Sequence, residues 1–395
     1  MNSVLEKLKI FSIPKALYYQ QKKELMGLGL SSTQANKIIV RKNSYNTVNT
    51  IIAFYCEVIN FLSNDDITAI CATSGGGKAL QAVMNLKEKL IQVGFSIEDI
   101  VSIASNNGGS KTLQTILDLR DDLTRINFTN QNITKISSNS GGSKTLQTIL
   151  DLRDDLTRIN FTNQNIIEIS SNNGGSKTLG ATIALMSKFK SFGFTNSGVI
   201  AIASNDGGSK SLQAIINLHP ELKNKRFTDE EIIAVASNDG GSRSLQAIID
   251  LYLMLINIGL TNQDIIKIAS NIGGSKSLQA VVDLQPQLKN IGFSNKDIVS
   301  IASHIGGSKS LQAVLDFQNQ LHNMGLSNQN IVSVASNDGG SKTLSVLLSK
   351  KKIIQEKNLA IPTIVKKISQ HSGSKLLQKF IYSYPKPLRI YNTVK

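Results

Sequence analysis

The sequence predicts an all-α fold, a solenoid of two-helix repeats, and three observations carry that prediction. The segment SNNGGSK at 105–111 returns with small changes at 138–144, 171–177, 204–210, 237–243, 270–276, 303–309 and 336–342, each copy 33 residues after the one before. A fixed period of this length marks stacked supersecondary units that share one continuous core. Between the copies, apolar residues fall at helical spacing in two runs per period. The period also holds from 62 to 358 without an insertion, which makes nine repeats.

The elements follow in order. Residues 1–61 form a basic N-terminal region. Its first 29 residues are mildly amphipathic and are expected to be helical. Residues 30–61 read as a degenerate repeat. LSSTQANKIIV has the pattern of a first helix, but Arg41-Lys42-Asn43 stands where a glycine loop is expected. Residues 62–358 are the nine repeats. The first, 62–94, is atypical, with the loop Ala72-Thr73-Ser74-Gly75-Gly76-Gly77-Lys78. Eight full repeats begin at Phe95, Phe128, Phe161, Phe194, Phe227, Leu260, Phe293 and Leu326. Residues 359–395 hold a half repeat, LAIPTIVKKISQHSGSKLLQ, and a basic tail.

One repeat, 95–127, shows why each helix should form. Ser96 is an N-cap candidate, with Asp99 three places on. Ile100, Val101, Ile103 and Ala104 give a short helix an apolar face. Gly108 and Gly109 end it, because paired glycines allow positive φ and close backbone approach. A second helix is expected from near Ser110, burying Leu113, Ile116, Leu117, Leu119 and Leu123. Arg120, Asp121, Asp122 and Arg125 alternate in sign and read as a solvated outer face. Segments 108–133 and 141–166 are identical over 26 residues, so the repeats have arisen by copying.

Composition narrows the function. The net charge is +15, which favours a polyanionic partner. Trp is absent and Phe and Tyr are few, which argues against stacking single-stranded bases on aromatic side chains. Cys56 and Cys71 are the only cysteines and lack metal-ligand spacing, so they read as small core residues. No apolar run approaches the length of a membrane span, and the N-terminus has no signal-peptide core. An intracellular protein is therefore expected, in bacterial cytoplasm or nucleoid or in a host nucleus. His219, His304, His322 and His371 fall at unrelated repeat positions, so no catalytic, metal or cofactor site is expected.

Three features of the loop fit a DNA groove. The third residue of the segment varies while its neighbours do not: Asn107, Ser140, Asn173, Asp206, Asp239, Ile272, Ile305 and Asp338. These side chains differ in hydrogen-bonding character. Asp can accept from cytosine N4, Asn can bond a purine N7, and Ile offers only apolar contact. A cation recurs at one fixed place, as Lys78, Lys111, Lys144, Lys177, Lys210, Arg243, Lys276, Lys309, Lys342 and Lys375. Gly108 and Gly109 stand at a helix N-terminus, where N–H groups bind phosphate. Lys37, Arg41 and Lys42 are expected to add non-specific affinity for the DNA backbone.

With SNxGGSKxLQ from position 11 of a 33-residue repeat, the chain resembles transcription-activator-like effectors (TALEs). It is most similar to their divergent relatives from endosymbionts and marine metagenomes. The resemblance covers about three-quarters of the chain. It implies a right-handed superhelix of repeats around duplex DNA, reading one base per repeat in the major groove. Position 13 would meet the base. Position 12 would bond back to a first-helix carbonyl: Asn106, Asn139, Asn172, Asn205, Asn238, Asn271, His304 and Asn337. Carried over, Asn107 and Asn173 imply guanine, with adenine tolerated, and Asp206, Asp239 and Asp338 imply cytosine. Ile272 and Ile305 imply adenine, and Ser140 little discrimination. The implied target is 5′-GNGCCAAC-3′, read by a monomer. His304 departs from the usual Asn. The tryptophan that favours a 5′ thymine in plant-pathogen TALEs is missing.

Two other classes compete. Ankyrin repeats share the period and bind proteins, but TPLH-like residues are absent here, and lysine with glycine makes a poor protein hot spot. RNA-reading helical arrays use several side chains per base, whereas one position varies freely here.

Overall fold

The computed structural model describes residues 14–41, 43–370 and 372–383. Among these residues there are 26 helices and no strand, so the fold is an all-α array of two-helix repeats. The chain divides into two compact units, Met1–Met186 and Ser187–Lys395. The expected amphipathic leader is represented by the helix Lys15–Gly27, and the stretch before residue 14 lies outside the described residues.

Each full repeat opens with an eight-residue helix, such as Ile97–Ala104, and most of these are set by a capping box; in Asn196–Ala203, Thr195 accepts from Gly198 N–H without the return bond. The Ser96 hydroxyl accepts from Asp99 N–H at 3.1 Å, and the Asp99 carboxylate accepts from Ser96 N–H at 3.1 Å. Two otherwise orphaned donors are satisfied in one exchange. Thr129 with Asn132, Thr228 with Glu231 and Ser327 with Asn330 repeat the arrangement. A longer helix follows. It is continuous in Gly208–Asn224 and Gly241–Asn257, and it breaks at Leu119 between Gly109–Asp118 and Arg120–Arg125.

Within each compact unit the core is shared between neighbouring repeats. Phe95, Ile100, Ile103, Leu113, Ile116 and Leu123 are buried, and the same positions are buried again at Phe227, Ile232, Val235, Leu245, Ile248 and Leu255. Fully burying one such side chain contributes about 1.5–3 kcal/mol. Neither helix alone hides enough surface, so second helices pack on one another: Gly76–Gln92 on Gly109–Asp118, and Gly208–Asn224 on Gly241–Asn257.

The turns between repeats are tied by a seam. The Asn at repeat position 3 donates to a carbonyl of the preceding turn: Asn130 to Val93 O at 3.1 Å, Asn163 to Ile126 O at 2.7 Å, and Asn295 to Ile258 O at 2.9 Å. A side chain at position 26 of the preceding repeat meets the same residue. The pairs are Arg153–Asn163 at 2.7 Å, His219–Asp229 at 3.0 Å, Tyr252–Asn262 at 3.2 Å and Gln285–Asn295 at 3.0 Å. Arg120, at the same position 26, departs from the solvated outer face expected for it. Its guanidinium lies 5.9 Å from the Phe95 ring centroid and is partly buried. Arg125 does stay exposed, paired with Asp122 at 2.6 Å. The cysteines also divide. Cys71 is buried and its thiol is pushed up to about 12 by that burial, while Cys56 is exposed rather than a core residue.

Candidate nucleic-acid interface

The loop at 104–111 is built around its two glycines, which do different jobs. Gly108 caps the second helix in the left-handed region, at φ 87°, where a side chain would be strained. Gly109 is pressed against the first helix, and a Cβ there would sit 2.5 Å from Ala104 O. Its N–H donates to Asn106 O at 2.9 Å. The tight turn therefore uses up the Gly109 amide, and of the two glycines only Gly108 is exposed. Seven further loops share this geometry, with first-glycine φ values from 77° at Gly339 to 93° at Gly174.

In seven of the eight full repeats the position-12 asparagine ties the loop back to the first helix, whereas half-buried His304 makes no such bond. Asn106 donates to Ser102 O at 2.8 Å, Asn139 to Lys135 O at 3.0 Å and Asn205 to Ala201 O at 2.8 Å. Asn238 reaches Ala234 O at 2.8 Å, Asn271 reaches Lys267 O at 2.9 Å and Asn337 reaches Ser333 O at 2.8 Å. Asn172 donates one residue later, to Ile169 O at 2.8 Å. Between these residues and the capping glycines stand the variable side chains. Asn107, Ser140, Asn173, Asp206, Asp239, Ile272 and Ile305 are exposed, and Asp338 is half-buried. Ile272 and Ile305 stand 48% and 44% exposed, although an isoleucine gains by burial.

The cations lie four residues beyond the variable position, in the first turn or so of the second helix. Lys111, Lys144, Lys177, Lys210, Arg243, Lys276, Lys309 and Lys342 are all exposed, as are Lys78 and Lys375 in the flanking loops. Successive variable residues also touch. Asn173 Oδ1 accepts from Ser140 N–H at 3.3 Å, and Asp338 Oδ1 accepts from Ile305 N–H at 3.2 Å.

Three degenerate loops keep part of the frame. In the N-terminal repeat Asn43 takes φ 64° and buried Ser44 starts the next helix, so these two residues stand in for the glycine pair. Lys37 and Arg41 beside them are exposed, and Lys42 lies outside the described residues. In the first repeat Gly75 has φ −112°, yet Gly76 still approaches Cys71 O as closely as 2.5 Å at its Cβ site. In the half repeat Ser372 takes φ 63° and Gly373 approaches Ile368 O. The sequence reading missed these substitutes because it looked for glycine; Asn and Ser also tolerate the left-handed region at moderate cost. His371 lies outside the described residues.

Among the described residues, no group of three or more His, Cys, Asp or Glu could hold a metal ion. Nor is any helix long and apolar enough to cross a membrane. The molecule belongs to the α-solenoids of two-helix repeats, with one variable side chain per loop. Residues 74–106 match the family model described as TAL effector repeat, a span of one full period running from loop to loop. That match and the regular repetition of the same helix pair identify the chain as a TALE-like repeat protein. At this level it is a DNA-binding repeat protein from a family of non-enzymatic scaffolds that bind double-stranded DNA. A search of curated proteins gives no match.

Proposed function

We propose that the chain reads duplex DNA sequence-specifically, one base per repeat, through the side chain at repeat position 13. The observation that carries this reading is the loop itself. A rigid turn, closed by two glycines and the position-12 amide, exposes one variable residue beside a fixed cation. Asp239 illustrates the chemistry. Its exposed carboxylate can accept from cytosine N4, whereas guanine N7 and O6 would repel it. In repeat order the readers give 5′-GNGCCAAC-3′, with His304-Ile305 assigned to adenine.

Lys111, Lys144, Lys177, Lys210, Arg243, Lys276, Lys309 and Lys342 would each meet a phosphate, with Gly108 adding a backbone donor. Lys37, Arg41 and Lys42 would contribute backbone affinity that is blind to sequence, and the chain would act as a monomer. Selection from a random duplex library tests the reading. The expected outcome is enrichment of GNGCCAAC in chain order. Enrichment of single-stranded or RNA competitors, or no enriched duplex motif, would overturn it.

A further inference from the structure

A row of acids lies on the same helix face as the cations, where a polyanion binder would be expected to avoid them. Asp118, Asp151, Asp250, Asp283 and Asp316 stand seven residues beyond Lys111, Lys144, Arg243, Lys276 and Lys309. Seven residues is 20° short of two helical turns and about 10 Å along the axis. Each cation therefore has a carboxylate on its own face, two turns further from the loop. All five carboxylates are exposed.

Each carboxylate is also held in place. Gln114 donates to Asp118 at 2.8 Å, Gln147 to Asp151 at 2.8 Å, Gln246 to Asp250 at 2.8 Å, Gln279 to Asp283 at 2.8 Å and Gln312 to Asp316 at 2.8 Å. Helix stability does not require the charge. In repeat 194–226 the pair is Gln213 and Asn217, which makes the same bond at 3.0 Å without it. Asp118 and Asp151 are moreover the last residues of their helices, where a negative charge opposes the helix dipole.

We propose that these five aspartates are specificity determinants that act by repulsion. This rests on the DNA reading above. A phosphate seated at the loop cation lies about a Debye length from the carboxylate and is largely screened from it. A duplex that rides along the second helices, without its groove on the variable residues, would place phosphates on the aspartates themselves. The row thus penalises the unspecific mode more than the specific one, which is how binding sites reject wrong partners.

The test compares the wild type with a variant carrying Asp118→Asn, Asp151→Asn, Asp250→Asn, Asp283→Asn and Asp316→Asn. Each is measured on a GNGCCAAC duplex and on a random-sequence duplex at one salt concentration. Gln–Asn pairs keep the helix-surface bonds, and circular dichroism checks the fold. The variant is expected to bind the random duplex about tenfold more tightly and the GNGCCAAC duplex less than about threefold more tightly, narrowing the gap between them. No gain on the random duplex would overturn the proposal. So would equal gains on both duplexes in a protein whose wild type tells them apart, since that is the effect of net charge alone. A wild type that does not tell them apart counts against the base-reading proposal, while the random-duplex gain still reports on the aspartates.

Discussion

At the scale of the residue, the loop works because three positions are removed from choice and one is left free. Asp239 stands between Asn238, tied to Ala234 O at 2.8 Å, and Gly240, held at φ 84°. Among the described residues no ion pair engages its carboxylate. Asp239→Asn should move the preferred base at the fifth place from cytosine towards guanine and leave the others unchanged. A good base contact discriminates by about 1–3 kcal/mol, so the preference should move about tenfold or more. Competition among four duplexes that differ only at that base measures it; a change at another place would remove position 13 as the reader. The variable position itself was legible in the sequence, because a variable residue inside an unvarying segment shows without a structure. The division of labour between the glycines was not. Both looked like capping residues, and only the backbone shows that Gly109 spends its amide on Asn106 and its missing Cβ on Ala104.

At the scale of the element, the helices were legible and their seam was not. Capping residues and apolar spacing mark each helix locally, as Ser96 and Ile100 do. The seam joins position 26 to position 3 of the next repeat through chemically unlike pairs, such as Arg153–Asn163 and Tyr252–Asn262. No single residue type recurs there to be noticed. The His219–Asp229 pair makes one seam sensitive to pH. Burial pushes the Asp229 carboxyl up, but hydrogen bonds and charge from His219 and Lys223 outweigh it and hold the group below its ordinary value. A lowered carboxyl stabilises the fold above its unfolded value, about 3.9, and loses that contribution as pH falls through the folded one. Between pH 7 and pH 3 the wild type should therefore lose more stability than Asp229→Asn in urea unfolding. Equal losses would mean that the carboxylate contributes nothing to the seam.

At the scale of the whole molecule, the recurring cations should set the response to salt. If eight to ten of them each neutralise a phosphate, the log–log slope of affinity against salt is roughly −7 to −9. Lys210→Ala should weaken binding to all duplexes about equally and reduce the slope by about one. A slope near zero would remove phosphate contact from the account. The repeat count and the basic character were open in the sequence. The acids alongside the cations stand in the sequence too, but the helix face they share shows only in three dimensions.

The identical segments 108–133 and 141–166 run from the capping glycine of one repeat into the first helix of the next. Each copy therefore holds both positions of a seam, bonded as Arg153 with Asn163 in the second copy, and splits the loop just after its variable residue. A recombination event in this frame inherits a matched joint and takes its specificity from whatever lies upstream. If each repeat reads one base, as proposed, such a lineage can gain or lose a letter of its target in one genetic step, with no later mutation needed to refit the junction.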